Sequence, residues 1–505
     1  MTPEHVATNR MVRPVRWLLS GEGSLIEKAT RGGAWLLLGE AFSRLAGFIK
    51  IAVLAHLLTP SNFGVFGVAM VLAGWLAYFS QTGFDSALIQ RRGDIRVYLD
   101  SAWSVQILRS ILQASVLFIV APLGARFFAS PEAVPVIRAM SLEILLYAPA
   151  NPAVIYFRKE LNFRNDVCLR ASGTLAGLVF SVVIAVVYRS VWALVGSLIL
   201  ARAVETWMSY RIQPYRPRFR LEWDRVREMT RFGRWIFGSN VLTFFDLYID
   251  SVLVGRVLGT TSLGLYQMAT QVVVSPLALL GMQTHTILFS TMSKIEKVAE
   301  LRRAFASGLI LVSFIVLPLS LAVCVYAGNL VPVLLGAHWL AIVSSVRLLA
   351  WTGAAKSISG VIIPVFLATG NPQLQFRSSI LKVSLLAVMI APLTLRFGIA
   401  GAAASSAISA VGALLYQWRL ASRLLGMGVC DILPALRSSL EICAAVVISW
   451  LASRHFGVLP EVLAVSLAAA LYAARGRKVL TPLLSGWITL GGNAGAPTAE
   501  TLEVQ

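Results

Sequence analysis

"LLTPSNFGVFGVA" at residues 57–69 is followed, two hundred positions later, by "VLGTTSLGLYQMA" at residues 257–269. The same offset matches several identical residues: Leu58 and Leu258, Gly64 and Gly264, Ala69 and Ala269, Arg31 and Arg231, Gly33 and Gly233, and Trp35 and Trp235. Apolar composition alone does not supply matched arginines, glycines and tryptophans. The offset therefore predicts a duplicated unit of about 200 residues.

Composition places this repeat in a membrane. Of the 505 residues, 57% are hydrophobic and 13% are charged, and the mean hydropathy is +0.74, more apolar than a water-soluble domain needs. Apolar stretches long enough to cross the hydrocarbon layer as helices follow one another from about residue 33. The predicted transmembrane helices are 33–56, 63–84, 100–122, 136–157, 168–188, 191–210, 232–255, 263–290, 304–326, 341–368, 378–395, 399–418, 439–453 and 458–474.

Lysine and arginine predict the orientation of these helices, because positively charged loops resist translocation. With the N-terminus inside, the inner loops collect 32 of the 44 Lys and Arg residues and the outer loops hold five. The net charge of +20 is therefore interpreted as membrane topology and not as nucleic-acid binding. Both termini are expected in the cytoplasm.

The most basic inner connection, "QPYRPRFRLEWDRVREMTRFGRW" at 213–235, lies between the two copies of the repeat. Six helices precede it, so both copies start inside, which predicts two six-helix lobes related by a pseudo-twofold axis along the membrane normal. The predicted segments are a cytoplasmic N-terminus at 1–30, an N-lobe at 31–212, a basic linker at 213–231, a C-lobe at 232–424, two further helices at 425–478 and a cytoplasmic tail at 479–505.

Within the repeated phrase, "TPSN" and "GTTS" supply residues that end one helix and begin the next. Gly64 and Gly264 then open the following helix. Two interpretations of these glycines stay open: they allow close approach of two helices, or they serve only the turn.

The sequence contains none of the enzyme motifs considered below. The chain has no P-loop, no His-Glu-x-x-His and no Gly-x-Ser-x-Gly pattern, and its four cysteines and five histidines lie apart from one another. We therefore predict no catalytic residues, no metal site and no cofactor. Without an ATP-binding motif, energy for transport would come from a proton or sodium gradient or from the substrate's own gradient.

The chain resembles the Wzx-type oligosaccharide flippases of the multidrug/oligosaccharidyl-lipid/polysaccharide exporter superfamily. The resemblance covers about residues 30–474 and rests on "RGGAW", "LLTPSNFGVFGVA", "RFGRWIFGSN" and "LGTTSLGLYQMA" in this order. Members of that branch often carry an acidic residue before the aromatic-Gly pair of the phrase, where this chain has Asn62 and Ser262. This departure puts the subfamily in doubt but not the superfamily.

The resemblance implies an all-α, two-lobed membrane protein that turns lipid-linked oligosaccharide across a bacterial inner membrane by alternating access, for lipopolysaccharide or exopolysaccharide biosynthesis. It implies membrane lipids and polysaccharide-assembly proteins as partners. Two alternatives stay open: an ion-coupled multidrug antiporter of the same superfamily, and a polytopic glycosyltransferase or polymerase.

Charges inside predicted helices are the candidate site residues, because an ionised group in lipid costs several kcal/mol without water or a partner. The first helix carries a polar stripe that includes Glu40, Arg44 and Lys50. In the second copy, Asp250 corresponds to Lys50 at the offset, and Asp246 lies one turn before it. The predicted cationic cavity residues are Arg44, Lys50, Arg109, Arg202, Arg347 and Lys356, and the predicted ion-coupling or gate residues are Glu40, Asp246 and Asp250.

A structural role competes with each of these assignments. Glu40 and Arg44 can pair along their helix, Lys50 can extend toward the membrane surface, and Arg202 has Glu205 three residues away. The functional interpretation predicts a gate. Lys50 attracts Asp250 across the cavity until the phosphate of the substrate competes for the lysine.

Overall fold

A computed structural model describes residues 25–80, 88, 95–160, 162–428 and 433–456. These residues are helical almost throughout, and none of them lies in a β-strand. The α-helices are α1 Leu25–Leu57, α2 Pro60–Ser80, α3 Arg96–Phe127, α4 Ala133–Tyr147, α5 Ile155–Lys159, α6 Phe163–Tyr188, α7 Trp192–Ile212, α8 Trp223–Met292, α9 Val298–Leu335, α10 Val343–Ala368, α11 Pro372–Leu425 and α12 Leu433–Phe456. Short 3₁₀ helices, Pro152–Val154 and Ala337–Ile342, precede α5 and α10.

The chain divides into two compact units. The first comprises residues up to Tyr248 together with Gly259–Gly264, and the second comprises Ile249–Leu258 and the chain from Leu265 onward. Helix α8 thus contributes to both units.

In the first unit, α6 packs against both α1 and α7, and α4 packs against α2, α3 and α7. Small residues bring the helices close. At Gly177 of α6, an added Cβ would lie 2.8 Å from the carbonyl oxygen of Ser197 in α7, so the helix backbones touch as they do in membrane bundles with small residues at the crossing.

In the second unit, α10 packs between α9 and α11, and α12 packs against α9. Its largest fully buried side chains include Trp339, Phe305, Phe314 and Phe366. Long aromatic and branched side chains therefore form this core, while leucines and valines on the outer helix faces stay exposed, among them Val333 and Val388. An apolar outer surface is what a lipid environment requires.

Two glycines divide the longest helices. Gly259 (φ 83°, ψ 175°) interrupts α8, and Gly398 (φ 61°, ψ −140°) interrupts α11. The sequence predicted separate helices at 232–255 and 263–290, and at 378–395 and 399–418, so the structure places a break inside each predicted gap. These backbone conformations suit glycine because it has no Cβ.

One predicted helix, 136–157, is wrong as a single straight element. Helix α4 ends at Tyr147, and the segment Pro152–Lys159 leaves it at an angle of 72°. Pro149 and Pro152 explain the bend, since proline donates no backbone hydrogen bond and disfavours helical backbone at the residue before it. The Asn151 side chain begins the new segment by accepting a hydrogen bond from the Ala153 amide at 3.0 Å.

Among the described residues, seven helices are long and apolar enough to cross a membrane, or eight if the bent pair counts as one span. The protein is therefore a multi-pass α-helical membrane protein. The total of fourteen helices and the pseudo-twofold axis stay predictions. The basic N-terminus, the loop containing Arg91, the helix 458–474 and the tail lie outside the described residues.

Candidate functional site

The two copies of the repeated phrase contact each other within the first unit. A Cβ on Gly64 would overlap the carbonyl oxygen of Thr260, and a Cβ on Gly264 would overlap the carbonyl oxygen of Pro60 and lie 2.7 Å from the Gly64 nitrogen. The contact is reciprocal, because each glycine faces the residue four positions before the other. Of the two open interpretations, the structure therefore shows the close approach of two helix backbones.

Arg44 and Glu40 form an ion pair along α1. The Arg44 Nε atom lies 2.7 Å from Glu40 Oε1, and the two side chains are 49% and 43% exposed. The structure thus shows the pairing that the sequence left as an alternative. Both side chains remain about half exposed while they form the pair.

Lys50 is half-buried two turns further along α1. Its Nζ lies 3.5 Å from the hydroxyl of Ser197, a fully buried residue of α7. The lysine is therefore directed toward a polar atom inside the first unit.

Arg202 is the centre of a charge network in the first unit. Its guanidinium donates to Glu143 at 2.7 Å and to Glu205 at 2.8 Å and lies over the ring of Tyr147, 4.9 Å from the centroid. The two carboxylates are only 17% and 19% exposed. This arginine is thus engaged on two sides by carboxylates, and the cluster as a whole carries one negative charge.

Glu143 was not among the predicted site residues. The signal was present in the sequence, because an acidic residue inside a predicted transmembrane helix needs a partner, and Arg202 lies at a comparable depth on another helix.

Arg109 lies on α3 and donates to the Ser80 carbonyl oxygen at 3.4 Å. Gln113, one turn further along, donates to the Leu76 carbonyl oxygen at 3.3 Å and to the Ser80 hydroxyl. The two side chains therefore hold the C-terminal end of α2 against α3, which is the kind of structural role that competed with the cavity assignment of Arg109.

Asp250 is buried in the second unit, with 8% of its surface exposed. Its carboxylate accepts a hydrogen bond from the Tyr266 hydroxyl at 2.7 Å and one from the Ser251 amide at 2.7 Å. Tyr266 belongs to the second copy of the repeated phrase, so this phrase supplies both a backbone crossing and the partner of a buried carboxylate. Asp246, one turn earlier on α8, is half-buried.

Arg347 and Lys356 lie on α10 of the second unit. Arg347 is exposed and Lys356 is half-buried. Among the described residues, neither has a carboxylate within ion-pair distance. These two cations thus differ from Arg44 and Arg202, which already have acidic partners.

The fold matches solved structures of two membrane proteins. Over 88% of this chain and 99% of the other, it matches the lipid II flippase MurJ in an inward closed conformation, with a TM-score of 0.72 and 14% identity. It also matches an inward-facing multidrug resistance MATE family transporter of the MOP superfamily, with a TM-score of 0.58 and 14% identity over 76% of this chain and 95% of the other. The chain therefore shares the fold of these two proteins.

The family follows from sequence. Residues 53–344 match the model of the family described as "Polysaccharide biosynthesis protein", and the chain belongs to this family. It is 25% identical to the lipopolysaccharide biosynthesis protein WzxC of Escherichia coli (strain K12), over 72% of this chain and 74% of that protein. It is also 25% identical to the succinoglycan biosynthesis transport protein ExoT of Rhizobium meliloti (strain 1021), over 69% and 70%. The resemblance found in the sequence is confirmed.

Proposed function

We propose that the protein moves a lipid-linked oligosaccharide across the bacterial inner membrane for polysaccharide biosynthesis. The observation that carries this proposal is the family match over residues 53–344, with relatives named for lipopolysaccharide biosynthesis and succinoglycan transport. The flippase fold supports the same class of cargo. We further propose that transport uses alternating access of the two units and a proton or sodium gradient.

The accessible charges on α1 support an anionic headgroup as the part of the substrate that is recognised. A charge inside a lipid bilayer is costly without a partner; Arg44 has a partner in Glu40 and still keeps 49% of its side chain exposed. An arginine presents a planar set of donors that fits a phosphate group. We propose that Arg44 leaves Glu40 to bind the substrate's pyrophosphate, and that Arg347 and Lys356 supply unpaired positive charge.

The remaining predicted site residues have narrower proposed roles. Arg202 and Arg109 act through the positions of helices, because both are bound to groups of the first unit. Asp246 and Asp250 are proposed for ion coupling. The Lys50–Asp250 gate stays a prediction. To form it, Lys50 must leave Ser197 and Asp250 must leave Tyr266, and each separation costs free energy.

The test of the Arg44 assignment uses a host that lacks its own flippase and exports polysaccharide only when this protein works. Arg44→Gln and the swap Glu40→Arg/Arg44→Glu are compared at matched protein levels. The swap retains an ion pair, so a purely structural pair predicts export close to wild type. We expect both variants to lose most export because a cation at position 44 binds the headgroup. Normal export by the swap would remove Arg44 from the substrate site.

A multidrug antiporter is the second candidate, favoured by the structural match to a MATE family transporter. The same host distinguishes an antiporter from a flippase. Drug resistance conferred by the protein without restoration of surface polysaccharide would favour the antiporter and overturn the flippase proposal.

A further inference from the structure

The connection between α7 and α8 is an ordered, extended segment and not a loose linker. We name residues 213–222, "QPYRPRFRLE", the arginine strap. Asp100, near the start of α3, accepts hydrogen bonds from the Tyr215 hydroxyl at 2.6 Å and the Arg218 amide at 2.9 Å. Further along α3, Ser104 accepts from the Arg220 amide at 2.9 Å and Ser101 accepts from the Glu222 amide at 3.3 Å.

The amides bonded to α3 belong to every second residue, as in an extended strand bound along one edge. The other end of the strap is fixed by Asn151, whose side chain donates to the carbonyl oxygens of Gln213 at 3.2 Å and Tyr215 at 2.8 Å. Burial and the hydrogen bond to Asp100 raise the pKa of Tyr215, so its hydroxyl stays protonated and keeps donating at physiological pH. The backbone path of the strap is thus determined by side chains of its own unit.

This path directs Tyr215 and Leu221 inward and the arginines outward, while Phe219 is also exposed. Tyr215 and Leu221 pack against a buried cluster that contains Ile95, Leu99 and Ile155. The arginines at every second position, Arg216, Arg218 and Arg220, are all exposed. An extended chain spaces such alternate residues by roughly 7 Å, so three guanidinium groups form a row on the outer face.

The row keeps most of its positive charge. Arg216 donates to the neutral carbonyl oxygens of Gln213, Tyr215 and Tyr210 at 2.9–3.2 Å, contacts that position its guanidinium without neutralising it. Arg220 has a partner in Glu222 at 3.0 Å. Among the described residues, no carboxylate lies within ion-pair distance of Arg216 or Arg218.

Exposed aromatic rings lie within and beside the row: Phe219 lies between Arg218 and Arg220, and Trp207 and Trp223 lie on the helices that precede and follow the strap. Trp207, Phe219 and Trp223 are 57%, 62% and 72% exposed, and the Arg211 guanidinium lies over the Trp207 ring at 5.3 Å. The residues of α3 that hold the strap belong to the first turns of a helix long and apolar enough to span the membrane, which puts the strap at the membrane surface. Aromatic rings beside arginines are typical of the lipid headgroup region.

We propose that the arginine strap is a binding surface for the headgroups of anionic phospholipids, with its guanidinium row on the phosphates and its aromatic rings between the lipids. The fixed row matters because arginine binds phosphate through several directed donors, and a preordered row loses little conformational freedom on binding. The proposal concerns lipid binding and does not depend on which substrate the protein moves.

The experiment measures phosphatidylglycerol bound to the purified full-length protein by native mass spectrometry, with phosphatidylcholine as the zwitterionic reference. Each basic residue near an anionic membrane surface contributes about fivefold in affinity. We expect Arg216→Gln/Arg218→Gln/Arg220→Gln to weaken phosphatidylglycerol binding by more than tenfold. The matched control, Arg126→Gln/Arg189→Gln/Arg396→Gln, removes the same charge from exposed residues that lie in three separate parts of the chain and form no row, and it should weaken binding clearly less than the strap variant.

A second variant distinguishes an ordered row from net charge alone. Asp100→Ala removes one negative charge and also the acceptor for Tyr215 and Arg218. An ordered strap predicts weaker phosphatidylglycerol binding, and a simple charge effect predicts tighter binding. The proposal is overturned if Asp100→Ala binds more tightly, if the arginine triple variant binds normally, or if the control loses as much. Displacement of the lipid by micromolar inorganic pyrophosphate would also overturn it, by assigning the strap to a pyrophosphate-bearing substrate.

Discussion

At the scale of single residues, the crossing of Gly64 and Gly264 leaves no room for any side chain. We expect Gly64→Ala and Gly264→Ala each to lower the free energy of unfolding by about 1–3 kcal/mol or more, because the added methyl group overlaps backbone that cannot rotate away. Thermal unfolding of the purified protein in detergent measures the loss. Equal losses for the two variants are expected from the reciprocal contact.

Gly47→Ala is the matched control for this pair, because no atom lies within 4 Å of the position of its Cβ. Alanine favours the helix by up to about 1 kcal/mol over glycine, so this variant should unfold at the same temperature as wild type or slightly higher. If Gly64→Ala behaves like Gly47→Ala, the close approach of the two phrases is wrong.

The Arg202 network gives a second prediction at this scale. Arg202→Gln leaves Glu143 and Glu205 without their shared cation, so we expect it to destabilise the protein more than Glu143→Gln, which leaves one ion pair. Because the arginine is 42% exposed, solvent screening limits the difference to roughly 1–2 kcal/mol. The triple variant in which all three residues are glutamine should recover part of the loss. A triple variant less stable than Arg202→Gln would contradict this account.

The sequence predicted the charged positions and their partners along the same helix, but not their partners on other helices. The i,i+4 spacing of Glu40 and Arg44 was readable because helix geometry relates neighbours along one helix. The contacts of Arg202 with Glu143, of Lys50 with Ser197 and of Asp250 with Tyr266 join different segments. Such pairs depend on how helices pack, and one sequence without a fold does not specify that packing.

At the scale of elements, Gly259 separates the two parts of α8. Its φ of 83° and ψ of 175° belong to a region that is essentially restricted to glycine, while no neighbouring atom lies near the position of its Cβ. We expect Gly259→Ala to cost about 1–3 kcal/mol through backbone strain alone. Asparagine, which tolerates the left-handed helical region, should not rescue the position. Unfolding temperatures of the two variants, compared with Gly47→Ala, test this; a stable Gly259→Asn protein would be inconsistent with the observed backbone.

Most of the helices could be predicted from the sequence. Apolar length located most spans, and the glycine-containing gaps located the breaks in α8 and α11, because these signals are local. The bend between α4 and α5 was missed although Pro149 and Pro152 were visible, since the apolar run continued through them. The order of the strap was also missed, because its hydrogen-bond acceptors lie more than one hundred residues earlier in the chain.

At the scale of the whole molecule, the distribution of Lys and Arg predicts which membrane face each loop occupies. In a variant with all four native cysteines replaced by alanine, we expect Ser190→Cys to react with a membrane-impermeant maleimide in intact spheroplasts. Arg218→Cys should react only after permeabilisation, because the strap is predicted to face the cytoplasm. Labelling in the opposite order would invert the topology, and labelling of both positions from outside would contradict the span count between them.

The reciprocal glycine contact also bears on how this chain can change over evolutionary time. Most positions of the two halves differ, yet the sequence at 257–269 is still similar to the sequence at 57–69. A side chain at either glycine would overlap the backbone of the other copy. A substitution in one copy is therefore constrained by the structure of the other. If the predicted duplication is correct, this contact explains why the phrase is still similar in both copies.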